Sequence, residues 1–331
     1  MKRGVLALFI GQVFACLAGT PADATLKRLE VDVNAMGTNY TIVLYGDDGN
    51  RLQAAADDAS EEVRRLDGVL SNYIETSEWS QLNKLASKQA VKVSPEDLKL
   101  LSDCIEYGRE SDGAFDITVG PLMKIWGFYK GTGHLPHRAE IRGALALVGY
   151  QNILLDPANN TVRFAKEGVE IDPGGIGKGY AVDKMVDVLK ADGITSAFVS
   201  AGGSSIYGLG SPPHERGWRV TIRDPKDASK TVAEVWLNNN SLSTSGNYEK
   251  FFYAEGKIWS HIMDPRTGFP AEGMLSTSVV APRTLDSEAW TKPYYIRGRE
   301  WAERHKHFGF QVLFCPDKPT NGDSNKCAWL Q

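Results

Sequence analysis

The amino-acid sequence predicts an α+β fold, with mixed, largely antiparallel sheets and helices packed against them. Three observations carry this expectation. Alternating apolar runs follow one another across short connections, as hairpins do: Leu29-Val31-Val33 with Tyr40-Ile42-Leu44, and Trp218-Val220-Ile222 with Val232-Glu234-Trp236. Helical periodicity comes in separate blocks instead of regular strand-helix alternation, which disfavours a doubly wound sheet. No internal repeat is found. The 331 residues suffice for one large domain or two lobes sharing a core. Hydrophobic content of 42% and charge content of 24% are those of an ordinary globular chain. A net charge of −4 gives no reason to expect a nucleic-acid surface.

At the start of the chain, Lys2 and Arg3 precede an apolar run from Val5 to Leu17, and Ala22-Asp23-Ala24 offers a small-residue cleavage site. Residues 1–24 therefore read as a secretory signal and 25–331 as the mature domain, placed outside the cytoplasm. Val13-Phe14-Ala15-Cys16 loosely resembles a lipoprotein box in which Phe14 fits poorly. Soluble export is the preferred expectation, and a lipid anchor at Cys16 is the alternative. No later segment is long and apolar enough to span a bilayer. Export permits disulfides: Cys315 and Cys327 bracket a polar loop and are placed to staple it, whereas Cys104 falls on a helix as a buried thiol.

The first strand pair is separated by Ala35-Met36-Gly37-Thr38. A helix follows, with Leu52, Ala55, Ala56, Ala59, Val63 and Leu66 on one face and Gly68 as its stop. The segment LSNYIETSEWSQLN then reads as a polar loop carrying Tyr73 and Ser77. Ser94-Pro95-Glu96-Asp97 opens a second helix with a Ser cap, a first-turn Pro and two acids, and Ser111-Asp112-Gly113 ends it. Ala114-Phe115-Asp116 follow at a turn, and Trp126-Gly127-Phe128 either walls a flat ligand or belongs to a packed hairpin. His134 and His137 fall in a solvated loop.

The chain is organised around VEIDPGGIGKGYAVDKMVDVL, from Val169 to Leu189. Val169 and Ile171 alternate as a strand. Gly174, Gly175 and Gly177 crowd the turn, and Lys178-Gly179 lead into a helix with Val182, Met185, Val186 and Leu189 on one face. Asp192-Gly193 stops it. Backbone amides meeting at such a helix start favour a phosphate by roughly 0.3–1 kcal/mol through the dipole alone. The spacing GGIGKG matches neither a Walker A loop nor the dinucleotide fingerprint. The turn is thus either a phosphate cradle or a tight turn for close packing. Asp172 and Asp183 on its flanks suit an accompanying divalent cation or ribose, and Lys178 meets either a phosphate or one of these acids. Further on, Ala197-Phe198-Val199 leads as a strand into Ala201-Gly202-Gly203-Ser204. His261 is expected on a strand, Val279-Val280 on another, Glu288, Thr291 and Trp301 on a helix, and Phe310-Val312-Phe314 as the closing strand.

Seven segments in order, AMGTNY, LSNYIETSEWSQLN, DGAFDITVGPLMKIWGF, IDPGGIGKGYAVD, AGGSSIYGLG, STSGNYEKFF and SHIMDPRTGFP, make the chain resemble the ApbE family of flavin transferases. The resemblance implies a two-lobed single catalytic unit that is exported and uses FAD together with Mg²⁺. It further implies transfer of FMN to a Thr or Ser hydroxyl of an exported acceptor protein as a phosphoester, with release of AMP. With water as acceptor the same site would make an FAD pyrophosphatase, and without turnover an FAD-binding protein. Position by position, Met36, Tyr73, Ala114, Phe115, Asp116, Asp172, Lys178 and Ile262 match nucleotide-contacting places. Gly175 matches a metal-binding place, and His261 matches the histidine of S-H-x-x-D-P, a candidate for activating the acceptor hydroxyl. The family's C-terminal metal segment reads D-A-L-x-T, whereas this chain has Asp286-Ser287-Glu288-Ala289-Trp290-Thr291-Lys292. Registering on Thr291 puts Ser287 at the Asp place. Registering on Gly298 puts Glu288 there and moves Thr291 one place earlier, which leaves Glu288 and Thr291 as the expected oxygen ligands on one side of a helix. Lys292 adds an ammonium that either stands in for a metal or weakens its binding.

Overall fold

In the computed structural model, residues 26–318 and 326–330 are described. The expected signal segment 1–24, with Cys16 and the Ala22-Asp23-Ala24 cleavage site, lies outside the described residues. Among the described residues no helix is long and apolar enough to cross a membrane.

Strands β1 (Lys27–Ala35) and β2 (Thr38–Gly46) form an antiparallel hairpin. Its two turn residues, Met36 and Gly37, both have positive φ, 51° and 69°, the twist that suits a two-residue hairpin. Helix α1 (Gly49–Leu70) is capped by Asp48 and buries the expected apolar stripe. It passes through Gly68 instead of stopping there. A glycine in a helix costs about 1 kcal/mol, and burying Leu70 two residues later returns roughly 1.5–3 kcal/mol. The expected polar loop is half helix: α2 (Glu78–Leu85) starts at a Ser77 cap and buries Trp79 and Leu82.

After β3 (Val91–Lys92), helix α3 (Pro95–Glu110) begins at its Ser94 cap, as the sequence predicts, and buries Cys104. The next segment is not a hairpin but a 3-10 turn (Ile117–Val119) running into α4 (Gly120–Ile125). Helix α5 (Arg138–Leu145) and strands β4 (Ile153–Asp156) and β5 (Thr161–Phe164) follow, and β5 lies between β3 and β4 in a three-stranded sheet. A 3-10 turn (Pro173–Gly175) leads into α6 (Gly177–Ala191). Seven strands come next, β6 (Ala197–Ala201), β7 (Ser205–Leu209), β8 (Trp218–Asp224), β9 (Asp227–Leu237), β10 (Asn240–Gly246), β11 (Phe251–Ala254) and β12 (Lys257–Ser260). The chain finishes with β13 (Met263–Asp264), β14 (Phe269–Pro270), β15 (Met274–Ala281), α7 (Thr284–Arg304), β16 (Gln311–Pro316) and β17 (Ala328–Trp329). Phe310-Val312-Phe314 is therefore not quite the last strand. A Cys315–Cys327 disulfide joins the β17 segment to β16.

The main sheet has eight strands in the order β1-β2-β6-β7-β10-β15-β16-β17, antiparallel throughout. Alternation divides its side chains between two faces. Ile42, Leu44, Val279 and Val312 meet α1, α6 and α7 on one face. Val43, Leu242, Val280 and Leu313 meet the β8–β9 hairpin on the other. In β9 the buried residues are Val235 and Leu237, so the predicted Val232-Glu234-Trp236 face is the opposite one. The register of that hairpin shifts near Ile222 and Arg223, which breaks a simple alternation. A smaller cluster of Leu122, Trp126, Ile141, Ala144, Trp259 and Met263 knits α4, α5 and β11–β14 into a second lobe. Trp126 is buried there, its indole N–H donating to Gly268 O at 3.0 Å, so it supports the lobe and walls no ligand.

Candidate active site

A cleft with a cavity of about 120 Å³ opens between the two lobes, and the glycine turn forms its floor. The approach to the turn is not the expected strand: it pairs with side chains instead of a neighbouring strand. Ile171 donates its N–H to Asn83 Oδ1 at 2.7 Å, and its carbonyl accepts from Asn72 at 2.8 Å and Asn83 at 3.0 Å. Asp172 Oδ1 accepts the Gly174 N–H at 2.7 Å and Oδ2 accepts the Tyr129 hydroxyl at 2.6 Å. Burial raises the Asp172 pKa against these bonds.

The helix start has four amides without intrahelical acceptors. Ile176 N–H goes to Pro173 O at 3.0 Å, and Gly179 N–H goes to the Glu288 carboxylate arriving from α7. The remaining two belong to Gly177 and Lys178. A Cβ on Gly179 would lie 2.5 Å from Thr284 O, so only glycine lets α6 and α7 approach this closely. Asp183 accepts the Thr284 and Leu285 N–H groups at 2.7 and 2.8 Å and so caps α7. It does not flank a ligand, and burial pushes its pKa up to about 6. Lys178 donates to the Ser204 hydroxyl and pairs with neither Asp172 nor Asp183.

On the far wall, His261 sits one residue beyond β12. Its Nδ1 lies 3.1 Å from Lys250 O. A carbonyl can only accept, so Nδ1 carries the proton and Nε2 keeps its lone pair. Burial, with the ammoniums of Lys250, Lys292 and Lys178, pushes its pKa down to about 4, and the ring is neutral at pH 7. The cleft thus sets a neutral base opposite a glycine turn flanked by two lysines, Lys178 and Lys292.

The profile of the ApbE family matches residues 36–314. The chain belongs to the ApbE family. A FAD:protein FMN transferase of Klebsiella pneumoniae (strain 342) is 32% identical over 270 residues, which cover 80% of this chain and 81% of its own. An ApbE protein from Thermotoga maritima superposes with a TM-score of 0.81 at 30% identity, covering 88% of this chain and 95% of that one. The apo form of Pseudomonas stutzeri flavinyl transferase ApbE does so at 0.80 and 27% identity, over 92% and 94% of the two chains.

Of the positions matched to the ApbE pattern, Ala114, Phe115, Asp116, Asp172, Gly175, Lys178, His261, Ile262 and Glu288 all line the cleft. Met36 lies behind it: its Sδ accepts from the Tyr40 hydroxyl, and its Cε abuts Gly177, propping the turn from below. Tyr73 is 74% exposed in an adjoining groove, edge-on to Tyr129. Asp116 borders the cleft, but its oxygens accept from Thr118 N–H and Oγ1 and from Tyr150 N–H, at 2.6–2.8 Å. It fastens the loop, and burial pushes its pKa up to about 6. Ser205 and Glu249, which also line the cleft, lie inside the AGGSSIYGLG and STSGNYEKFF segments without standing out there, and Tyr129, which lines the adjoining groove, directly follows DGAFDITVGPLMKIWGF.

The altered C-terminal segment is divided between core and cleft. Ser287 is buried, its hydroxyl within 2.8–3.0 Å of the Ser243 and Ser241 hydroxyls, while Glu288 lines the cleft. Counting D-A-L-x-T from Glu288 places Lys292 at the Thr. Thr291 does not line the cleft; its Oγ1 is 2.7 Å from both Ser245 Oγ and Glu288 O. Mg²⁺ asks for a near-octahedral oxygen shell at about 2.0–2.1 Å. Here one Glu288 oxygen holds Gly179, the other lies 3.9 Å from the Lys292 ammonium, and the Thr291 hydroxyl is engaged elsewhere. Among the described residues no group of three or more His, Cys, Asp or Glu side chains gathers to hold a metal. This donor set does not fit a divalent cation.

Proposed function

We propose that the chain transfers FMN from FAD to a Thr or Ser hydroxyl of an exported acceptor protein and releases AMP. The observation that carries this reading is the single cleft in which a glycine turn and two ammoniums face a neutral imidazole. The diphosphate bridge of FAD lies on the glycine turn, where Lys178, Lys292 and the leading amides of α6 balance its charge. The acceptor hydroxyl enters beside His261. Its oxygen attacks the phosphorus of the FMN half, the bond from that phosphorus to the bridging oxygen breaks, and AMP departs. The hydroxyl proton passes to His261 Nε2. Phosphoryl transfer asks mainly for in-line placement and charge neutralisation, which these groups supply. Mg²⁺ is given no step, because the donor set does not suit it. Export by residues 1–24 places the enzyme and its acceptor in an extracytoplasmic compartment.

Incubation of the chain with FAD and an exported Thr/Ser-containing peptide tests this reading by mass spectrometry. The expected result is an FMN adduct on the hydroxyl with one AMP per adduct. Free FMN with unmodified peptide points instead to pyrophosphatase activity, and intact FAD without AMP to a flavin-binding protein.

A further inference from the structure

We infer that the Lys292 ammonium replaces a divalent cation, neutralising the diphosphate so that this chain holds its nucleotide without a bound metal. The inference rests on the flavin-nucleotide reading of the cleft and specifies how that cleft meets its ligand's charge.

Lys292 stands four residues after Glu288, one turn along the same side of α7, where the ApbE pattern has its second oxygen ligand. Its Nζ donates to Glu288 O at 2.9 Å and lies 3.9 Å from Glu288 Oε1. Its Cε is 3.7 Å from the point where a Gly175 side chain would begin, so the stem lies against the glycine turn. An ammonium has three donors and no acceptor, so it attracts phosphate oxygens and repels a second cation. The groups that would complete an oxygen shell are engaged: Glu288 Oε2 by Gly179, and the Thr291 hydroxyl by Ser245. Lys178 lines the same cleft. The two ammoniums share the cleft with the Glu288 and Glu249 carboxylates, and both stand beside the glycine turn where a diphosphate would lie. Fixed on the chain, such a cation needs no loading.

FAD binding to the full chain, measured by calorimetry in EDTA and again in millimolar Mg²⁺, tests this, alongside the Lys292→Met and Lys292→Thr variants. The unaltered chain is expected to bind equally in both buffers. Lys292→Met weakens binding about tenfold or more in both, the loss of one charge-assisted contact. Lys292→Thr is weak in EDTA and recovers with Mg²⁺, because a hydroxyl restores an oxygen donor. Binding by the unaltered chain that collapses in EDTA overturns the inference, as does unchanged affinity in a folded Lys292→Met chain. The EDTA comparison needs no variant and decides the matter if a substitution fails to fold. Inorganic pyrophosphate, followed by thermal shift in EDTA, separates the two readings. Stabilisation by pyrophosphate without FAD binding upholds the ammonium site and overturns the flavin reading. FAD binding that requires Mg²⁺ does the reverse.

Discussion

At the scale of single residues, His261 carries the sharpest consequence. Its Nδ1–H is tied to a backbone carbonyl, so ring orientation and tautomer are set before any substrate arrives. Replacing it with Ala is expected to leave FAD affinity unchanged and to lower transfer by about 10²–10⁴-fold, the usual worth of a positioned base. Equal transfer rates in the variant would remove His261 from the mechanism. With a folded-state pKa near 4 against 6.5 for a free imidazole, the unfolded chain binds more protons between these values. His261 therefore lowers stability as pH falls through that window and contributes nothing above it. The acid limb of transfer is expected near pH 4; a limb near 6.5 would contradict this environment. The sequence marked His261 and Glu288 through their motifs. It put Thr291 on the wrong side because the helix face alone does not reveal that Ser245 is waiting for its hydroxyl.

At the scale of elements, α6 and α7 form one device. Asp183 of α6 caps α7, Glu288 of α7 caps α6, and Gly179 lets them touch. Gly179→Ala places a methyl group 2.8 Å from Glu288 Oε2. It is expected to cost about 1–3 kcal/mol in urea unfolding, as overpacking does, and to weaken FAD by shifting both helix starts. Wild-type stability would show that the helices have slack. Helix α3 was legible because Ser94, Pro95 and two acids state its start outright. Helix α2 was not: only Trp79 and Leu82 are apolar and buried, too few to show a period. The Val169–Ile171 strand was misread for a similar reason, since its alternation is real but its partners are the asparagines of a distant segment.

At the scale of the molecule, the fold class followed from hairpin-like alternation, and the antiparallel eight-stranded sheet agrees with it. The cleft was less legible, because it lies where a large core meets a small satellite core whose members are far apart in sequence. The Cys315–Cys327 bond closes a span of 12 residues at the sheet edge. Replacing both cysteines with Ala is expected to cost about 2–3 kcal/mol while leaving FAD affinity intact, since the bond restrains the unfolded chain and lies away from the cleft. Loss of nucleotide binding in a folded double variant would tie this edge to the site. The central claim is that the glycine turn and its two lysines grip a diphosphate, and not the flavin ring alone. Calorimetric titration with FAD, ADP and riboflavin addresses it most directly. The account predicts that FAD and ADP bind while riboflavin is weaker than FAD by about a hundredfold or more, the worth of two charge-assisted contacts. Riboflavin binding as tightly as FAD would contradict it.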